Sequence, residues 1–253
     1  MDLELYRDLR DRDLRREGLL VAEGRWLVER LLASGWEVLS VVCATRFAAH
    51  FLELAAGRCP VLTADEGQLA RVAGFAFHRG VLAAARRPPL VSLAAWLTGR
   101  PAGSRGDTLV ICPQLTGEYN LGSVVRSAAA LGADALAVGP RCCDPLSRRA
   151  LKVSMGAAFR LPLLALEEEA ADLERLRAAG WRIAGASPAP EAVMVDSWRR
   201  EGPVALVLGE EAEGLPEPWA EGCDLLLRIP MNAGADSLNV SVAAGILLYF
   251  LSR

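Results

Sequence analysis

The sequence has few of the residues that build metal and dinucleotide sites. Its 253 residues include six cysteines, two histidines and a single lysine, Lys152. The cysteines show no C-x-x-C spacing, and with only His50 and His78 beside them they provide no credible zinc set. The G-x-G-x-x-G fingerprint is absent as well, which disfavours a pyrophosphate site of the NAD type. We therefore predict no bound metal.

The cysteines are expected to be reduced and mostly buried, where they act as small hydrophobic side chains. Cys142 and Cys143 are adjacent in a predicted loop, so an exposed thiol pair is the alternative there. The remaining cysteines are Cys43, Cys59, Cys112 and Cys223.

Long apolar runs are also missing. The N-terminal segment MDLELYRDLRDRDLRRE lacks the apolar core of a secretory signal, and the longest apolar run near the C-terminus is too short to span a bilayer. A hydrophobic content of 52% supports a globular protein and not a disordered one. We predict a cytoplasmic protein with no membrane partner.

The charge balance is slightly acidic, with a net charge of −3, which argues weakly against a general polyanion binder. The basic residues are almost all arginine, and they cluster in residues 7–25 and again in residues 141–152. Arginine is suited to planar, bidentate contacts with phosphate. A general arginine bias in the composition explains the same clusters, and both explanations stay open.

Alternation of short apolar strands with helical segments predicts two α/β units. The first covers residues 1–90 and ends at the pair Pro88-Pro89, which interrupts both periodicities. Residues 91–106 hold a short helix and then GRPAGSRGD, the best linker candidate. The second unit covers residues 107–253, and its strands of four to six apolar residues indicate a mostly parallel sheet covered on both faces.

The stretch from Ile229 to Leu251 is the most informative part of the second unit. From Val240 onward it predicts a helix buried on nearly every face, yet Ser237 and Asn239 make its start polar. The same polar start is typical of an ordinary capped terminal helix. The preceding Ile229-Pro230-Met231 favours a ligand site, because a strand that leads through a small-residue loop into a helix is the geometry at which open α/β sheets bind ligands.

Two further segments follow predicted strands in this unit. Residues 120–127 offer a glycine-softened turn, a helix N-terminus suited to anions, and Arg126 about one turn into the helix. The alternative is that Asn120 caps the helix and Arg126 is a surface ion-pair partner. Residues 207–216 end an apolar strand at Gly209, where the missing Cβ lets a ligand lie against the backbone, although a solvated acidic loop is the ordinary interpretation.

Together these three segments resemble the three sequence motifs of the SpoU branch of the SPOUT methyltransferases, which methylate ribose 2′-oxygens in RNA with S-adenosylmethionine. The segment IPM…SLNVSVA is the most specific of them. The resemblance includes KVSMGAAFRLP (Lys152–Pro162) and extends to VAEGRWLVERLL and HRGVLAAA in the first unit. That unit is similar to the ribosomal-protein-like substrate-binding domain often fused ahead of the catalytic domain, so the resemblance covers nearly the whole chain.

The resemblance implies a catalytic domain with a deep C-terminal trefoil knot, an exception to the usual rule against knots. It also implies a homodimer formed through that domain and an RNA substrate, with ribosomal RNA favoured over tRNA. The residues at the positions that bind S-adenosylmethionine in the family are Gly209, Ile229, Met231 and Leu238. The residues at the family's polar active-site positions are Asn120, Arg126, Glu211, Ser237 and Asn239.

The sequence departs from the family pattern at three places. Glu210 stands where Asn or Ser is common, Ala233 replaces a glycine of the knot loop, and residues 117–119 replace an acidic residue and a proline. The loop shapes and the substrate contacts are therefore harder to predict than the cofactor pocket. Two alternatives to a ribose methyltransferase stay open. One is a non-catalytic RNA-binding protein with this fold, and the other is an enzyme that methylates a base nitrogen.

The chemistry of methyl transfer needs alignment of oxygen, methyl and sulfur and removal of the hydroxyl proton. Arg126 is usually described in the family as the general base. Arginine keeps its proton in proteins. A charged Arg126 that grips the neighbouring phosphate, while the proton leaves to that phosphate or to water, is the physically easier hypothesis.

Overall fold

The computed structural model describes residues 6, 9–65, 67, 80–98, 107–210, 213–232 and 236–253. In chain order the helices are α1 (Asp11–Arg16), α2 (Arg25–Ala33), α3 (Ala48–Ala55), α4 (Leu93–Thr98), α5 (Glu118–Ala130), α6 (Arg148–Val153), α7 (Glu169–Ala178), α8 (Glu217–Gly222) and α9 (Val240–Leu251). The strands are β1 (Leu19–Glu23), β2 (Val38–Ala44), β3 (Val61–Ala64), β4 (Val81–Arg86), β5 (Val91–Ser92), β6 (Thr108–Cys112), β7 (Ala135–Val138), β8 (Leu163–Ala165), β9 (Arg182–Ala186), β10 (Val193–Met194), β11 (Val204–Val207) and β12 (Leu225–Arg228).

The contacts divide the chain into two compact units. The first contains the residues up to 89 together with residues 146–160, and the second contains residues 90–145 and 161–253. Residues 146–160, which the sequence analysis places in the second unit, group with the first unit in this division. The rings of Phe159 and Trp36 meet edge to face at 5.2 Å within it.

The first unit is built on a four-stranded sheet in the order β1-β4-β2-β3. Strand β4 runs antiparallel to β1 and β2, and β3 runs parallel to β2. Most apolar residues of β1, β2 and β4 are buried, as their composition predicts. The sequence pattern also predicts a helix over residues 65–72, and most of these residues lie outside the described part of the chain.

The second unit is built on an eight-stranded sheet in the order β10-β12-β9-β11-β6-β7-β8-β5, in which every pair of neighbours is parallel. Its central strands β6, β7 and β11 are buried at every position. Parallel strands are covered on both faces, which explains their continuous apolar sequences. The predicted α/β class and mostly parallel sheet are confirmed.

The linker predicted at residues 91–106 is shorter in the structure. Residues 91–98 form β5 and α4, and β5 pairs with β8 at the edge of the sheet. Leu93 of α4 is fully buried in the core of the second unit, which holds this segment in place. Residues 99–106 lie outside the described part of the chain.

Helix α5 begins at Glu118, ahead of the glycine-softened turn predicted within residues 120–127. Gly117 is its N-cap, so Asn120 lies in the first turn and Gly122 is buried inside the helix. The predicted glycine-softened turn and the predicted cap at Asn120 are therefore wrong, and Arg126 lies more than two turns into the helix. Among the described helices, none is long and apolar enough to cross a membrane.

Candidate functional site

A pocket of about 320 Å³ opens at the carboxyl ends of three neighbouring strands of the second unit, β9, β11 and β12. Residues that follow each strand line it, together with the start of α9. The carboxyl edge of a parallel sheet is where α/β folds bind ligands, because loops from several strands meet there. The pocket lies where the sequence predicts it.

The four residues predicted to bind the cofactor, Gly209, Ile229, Met231 and Leu238, all line this pocket, and the predicted active-site residue Ser237 lines it with them. Sequence analysis missed the wall formed by residues 186–188 at the end of β9 and the inner residues of α9. The alternation of strands and helices could have identified the first of these, since it is the loop after a central strand.

The structure shows why position 209 needs a glycine, which the sequence does not reveal. A Cβ atom on this residue would lie 2.1 Å from the carbonyl oxygen of Gly214. The backbones of Glu210 and Gly214 exchange two hydrogen bonds of 3.1 and 2.8 Å, which fold the loop back onto Gly209. The missing side chain therefore makes room for the loop that follows β11. The prediction was that it makes room for a ligand.

The acidic loop after β11 contacts the loop after β6. The carboxylate of Glu210 accepts hydrogen bonds from the backbone N–H of Thr116, at 3.2 Å, and from its hydroxyl. Glu213 accepts a hydrogen bond of 2.9 Å from the side-chain amide of Gln114. Glu210, a departure from the family pattern, thus joins two loops at the sheet edge. Glu211 lies outside the described residues, and so does Ala233.

Asn239 has two roles in the structure. Its Oδ1 caps α9 by accepting hydrogen bonds from the N–H and the hydroxyl of Ser241, at 3.0 and 2.6 Å. Its Nδ2 donates to Oδ1 of Asn120 at 3.0 Å. Two of the predicted active-site residues, 119 positions apart in sequence, are therefore in direct contact.

Arg126 lies on the exposed part of α5. Asn120 and Ser127, seven residues apart, share the face of α5 that packs on α9, because Ser127 lies against Gly245. Arg126 is one residue, about 100 degrees of helix rotation, from that face. Among the described residues, no hydrogen bond or ion pair of its guanidinium is found, which leaves its donors available to a substrate.

The pocket fits S-adenosylmethionine in size and chemistry. Its volume falls in the range of pockets that hold compact organic ligands. Leu208, Leu227, Leu238 and Leu247 give it apolar walls suited to an adenine ring. The acidic side chains of Glu210 and Glu213 also line it, and a carboxylate has acceptor sites left for a ribose hydroxyl or a cationic amine. Within the described residues, no cluster of histidine, cysteine and acidic side chains could hold a metal ion.

The cysteines near this edge are not reactive thiols. Burial raises the pKa of Cys142 to about 11 and that of Cys143 to about 12. The Cys142 thiol also donates to the carbonyl oxygen of Cys112 at 2.9 Å. Since only the thiolate is a strong nucleophile, the alternative of an exposed reactive pair is not supported.

The parallel sheet carries an apolar, partly acidic pocket at the carboxyl ends of its strands, and a polar helix start borders this pocket. This combination is typical of a domain that binds a nucleoside-type cofactor. The model of the SpoU rRNA Methylase family matches residues 107–249. The chain therefore belongs to the SpoU rRNA methylase family, as the resemblance predicts.

Known relatives agree with this assignment over most of the chain. An uncharacterized tRNA/rRNA methyltransferase of Mycobacterium bovis is 37% identical over 99% of this chain and 88% of its own length. The 23S rRNA (guanosine-2′-O-)-methyltransferase RlmB of Ralstonia nicotianae is 35% identical over 75% of both chains. The crystal structure of the SpoU methyltransferase AviRb from Streptomyces viridochromogenes, in complex with AdoMet, has a TM-score of 0.82 and 25% identity, over 99% of this chain and 96% of that one.

These findings confirm the predicted class of enzyme, an RNA methyltransferase that uses S-adenosylmethionine. The individual roles assigned to the site residues stay predictions.

Proposed function

We propose that the protein transfers the methyl group of S-adenosylmethionine to a ribose 2′-hydroxyl of ribosomal RNA. The observation that carries this proposal is the convergence of Gly209, Ile229, Met231 and Leu238 on one pocket, with Ser237 beside them. These are the residues that the SpoU motifs assign to the cofactor. The resemblance to enzymes with RlmB-type names supports ribosomal RNA as the substrate.

In this proposal the chain's own residues position the reactants. The apolar walls hold the adenosine part of the cofactor and exclude water, and the bound cofactor supplies the methyl group. Ser237 shapes the donor pocket, and the hydrogen-bonded pair of Asn239 and Asn120 orients the nucleotide. Glu211 orients Arg126 or a loop amide.

Arg126 grips the phosphate next to the target ribose and favours ionisation of the 2′-hydroxyl through its positive charge. Its exposure and its available donors support this role. A guanidinium presents a planar fork that matches two phosphate oxygens. The hydroxyl proton then leaves to that phosphate or to water, so that Arg126 keeps its own proton throughout.

The proposed active form is a homodimer joined through α9. Val242 and Tyr249, seven residues apart on one face of this helix, are 50% and 45% exposed, and Phe250 beside them is 37% exposed. An apolar stripe of this kind on a helix is typical of an interface. We expect a dimer by light scattering, and Tyr249→Asp to shift it toward monomer.

The C-terminal trefoil knot and a cytoplasmic location belong to the same proposal. The strand β12 leads through residues 229–239 into α9, and the loop after β11 folds back at residues 210–214. These are the two segments that would cross in the knot, and each includes residues outside the described part of the chain. The family fold supports the crossing.

Methyl incorporation tests the substrate. Purified protein is incubated with methyl-labelled S-adenosylmethionine and either ribosomal RNA or total tRNA from cells that lack the protein. The proposal predicts incorporation into ribosomal RNA at a fixed site. Incorporation into tRNA alone would favour the alternative tRNA enzyme, and binding of the cofactor without any transfer would favour a non-catalytic RNA-binding protein.

A further inference from the structure

The first unit has a small cavity of about 230 Å³ that the methyl-transfer site does not use. Arg25, Trp26 and Leu27, at the start of α2, form one side of it. Lys152 and Met155 form the other side. Both sides belong to the same compact unit.

Trp26 is the most unusual residue of this cavity. Trp26 is 66% exposed, more than any other described tryptophan. Tryptophan is normally well buried. The guanidinium carbon of Arg25 lies 5.8 Å from the centre of its ring. An exposed indole ring next to a cavity can stack on a flat ring from another molecule.

Two cations and one acid are among the residues that line the cavity. Lys152, the only lysine of the chain, is exposed at the end of α6, and the side chain of Arg25 is 47% exposed. Arg25 is paired with Glu29 at 2.7 Å, and Glu23 is the acidic residue among those that line the cavity. The combination of an exposed aromatic ring with two accessible cations fits a base and its phosphates.

The far side of the cavity is held in an uncommon backbone conformation. Met155 has a φ angle of +52°, which a residue with a side chain rarely adopts, and Arg30 donates a hydrogen bond to its carbonyl oxygen. Gly156 follows with φ of +72°, and a Cβ there would come within 2.9 Å of Leu27. Strain held by specific contacts is found most often at functional positions.

We propose that this cavity is a docking site for single-stranded RNA, in which an unpaired base stacks on Trp26 and the flanking phosphates contact Lys152 and Arg25. This inference rests on the proposed function for the nature of its ligand. It adds a second contact with the substrate, one that anchors an unstacked loop nucleotide of the RNA.

The test measures binding of fluorescein-labelled single-stranded RNA of about 12 nucleotides to the full chain without cofactor. Trp26→Ala should weaken binding by about 5- to 100-fold, because a stacked base loses its platform. Trp26→Phe should retain most of the affinity, and Leu52→Ala, which removes another exposed apolar side chain of this unit, should leave it unchanged. A blunt RNA duplex offers no free base, so Trp26→Ala should not alter its binding.

Lys152→Gln tests the phosphate contact separately. It should weaken binding of every single-stranded sequence alike and reduce the slope of log affinity against log salt by roughly 0.7. Wild-type protein that binds single-stranded RNA while Trp26→Ala and Lys152→Gln bind it equally well would overturn the docking site. Failure of the proposed methyl transfer gives a different result: wild-type protein incorporates no methyl group into RNA. That result does not depend on how Trp26→Ala changes RNA binding.

Discussion

The side-chain amide of Asn239 donates a hydrogen bond to the side-chain oxygen of Asn120 at 3.0 Å. This contact joins the first turn of α5 to the cap of α9, the two helices that lie next to each other in the second unit. It connects two predicted active-site positions whose sequence neighbourhoods give no reason to expect contact. Asn239 also caps α9, whereas Asn120 does not. Substitutions at the two positions can therefore separate an effect on stability from an effect on catalysis.

Asn239→Ala removes both the contact and the cap of α9, whereas Asn120→Ala removes the contact and leaves the cap in place. We expect Asn239→Ala to lower the free energy of unfolding by about 1 kcal/mol, the usual value of an Asn cap. Asn120→Ala should cost less than about 1 kcal/mol, because its partner stays accessible to water. Both variants should slow methyl transfer. Urea unfolding and single-turnover assays measure the two effects, and wild-type transfer by Asn120→Ala would exclude a positioning role for the pair.

Arg126→Lys keeps the charge but loses the planar fork. If the fork holds a phosphate, the single-turnover rate should fall by about 10- to 100-fold, which corresponds to the loss of one charge-assisted hydrogen bond. Cofactor affinity should not change, because Arg126 does not line the pocket. Arg199→Lys is the matched control, since Arg199 is exposed and, within the described part of the chain, donates only to neighbouring backbone carbonyls. A near-normal rate for Arg126→Lys at unchanged RNA affinity would show that a bidentate contact is not needed.

Gly209→Ala forces a methyl group against the backbone of Gly214 and Leu215, at 2.1 to 2.6 Å. The loop must move, which we expect to cost about 1–3 kcal/mol of stability, as in other overpacked sites. Cofactor affinity should fall at least about tenfold, because the same loop lines the pocket. Gly202→Ala is the control, since nothing lies within 4 Å of its new methyl group. Calorimetric titration with S-adenosylmethionine that gives equal affinities for Gly209→Ala and wild type would contradict the account of this loop.

Thiol labelling tests the electrostatics of the cysteines. Burial raises the pKa of all six, to about 11 for Cys142 and to about 12 for Cys143 and Cys223. A raised pKa leaves little thiolate at neutral pH, so iodoacetamide should react slowly at pH 7 and about tenfold faster for each pH unit up to pH 9. Protein unfolded in urea should react at all six positions. Fast labelling of native protein at pH 7 would contradict this account of the cysteines.

The sequence predicts those parts of the fold that depend on local pattern. The buried strand β11 is a continuous apolar segment, and α9 is marked by its polar start, so the pocket that residues after β11 and at the start of α9 line could be located in advance. Long-range contacts are a different matter. The packing of Phe159 on Trp36 assigns residues 146–160 to the first unit, and no local pattern contains that information.

The site shows the same limit. The cofactor residues could be predicted because they immediately follow strands, where the sheet brings loops together. The contact of Glu210 with Thr116 joins residues 94 positions apart, and α5 begins directly after Gly117, ahead of the predicted turn. The wall at residues 186–188 consists of small residues without a distinctive chemistry, so the sequence marks it only by its position after a central strand.

The central claim is that this pocket delivers a methyl group to a ribose oxygen, and the methylated nucleoside itself tests that claim most directly. RNA methylated by the purified protein is digested with nuclease, and the products are analysed by mass spectrometry with fragmentation of the glycosidic bond. The account predicts that the added methyl group stays with the ribose fragment and that its amount falls when Gly209→Ala replaces wild type. A methyl group on the base fragment would contradict it.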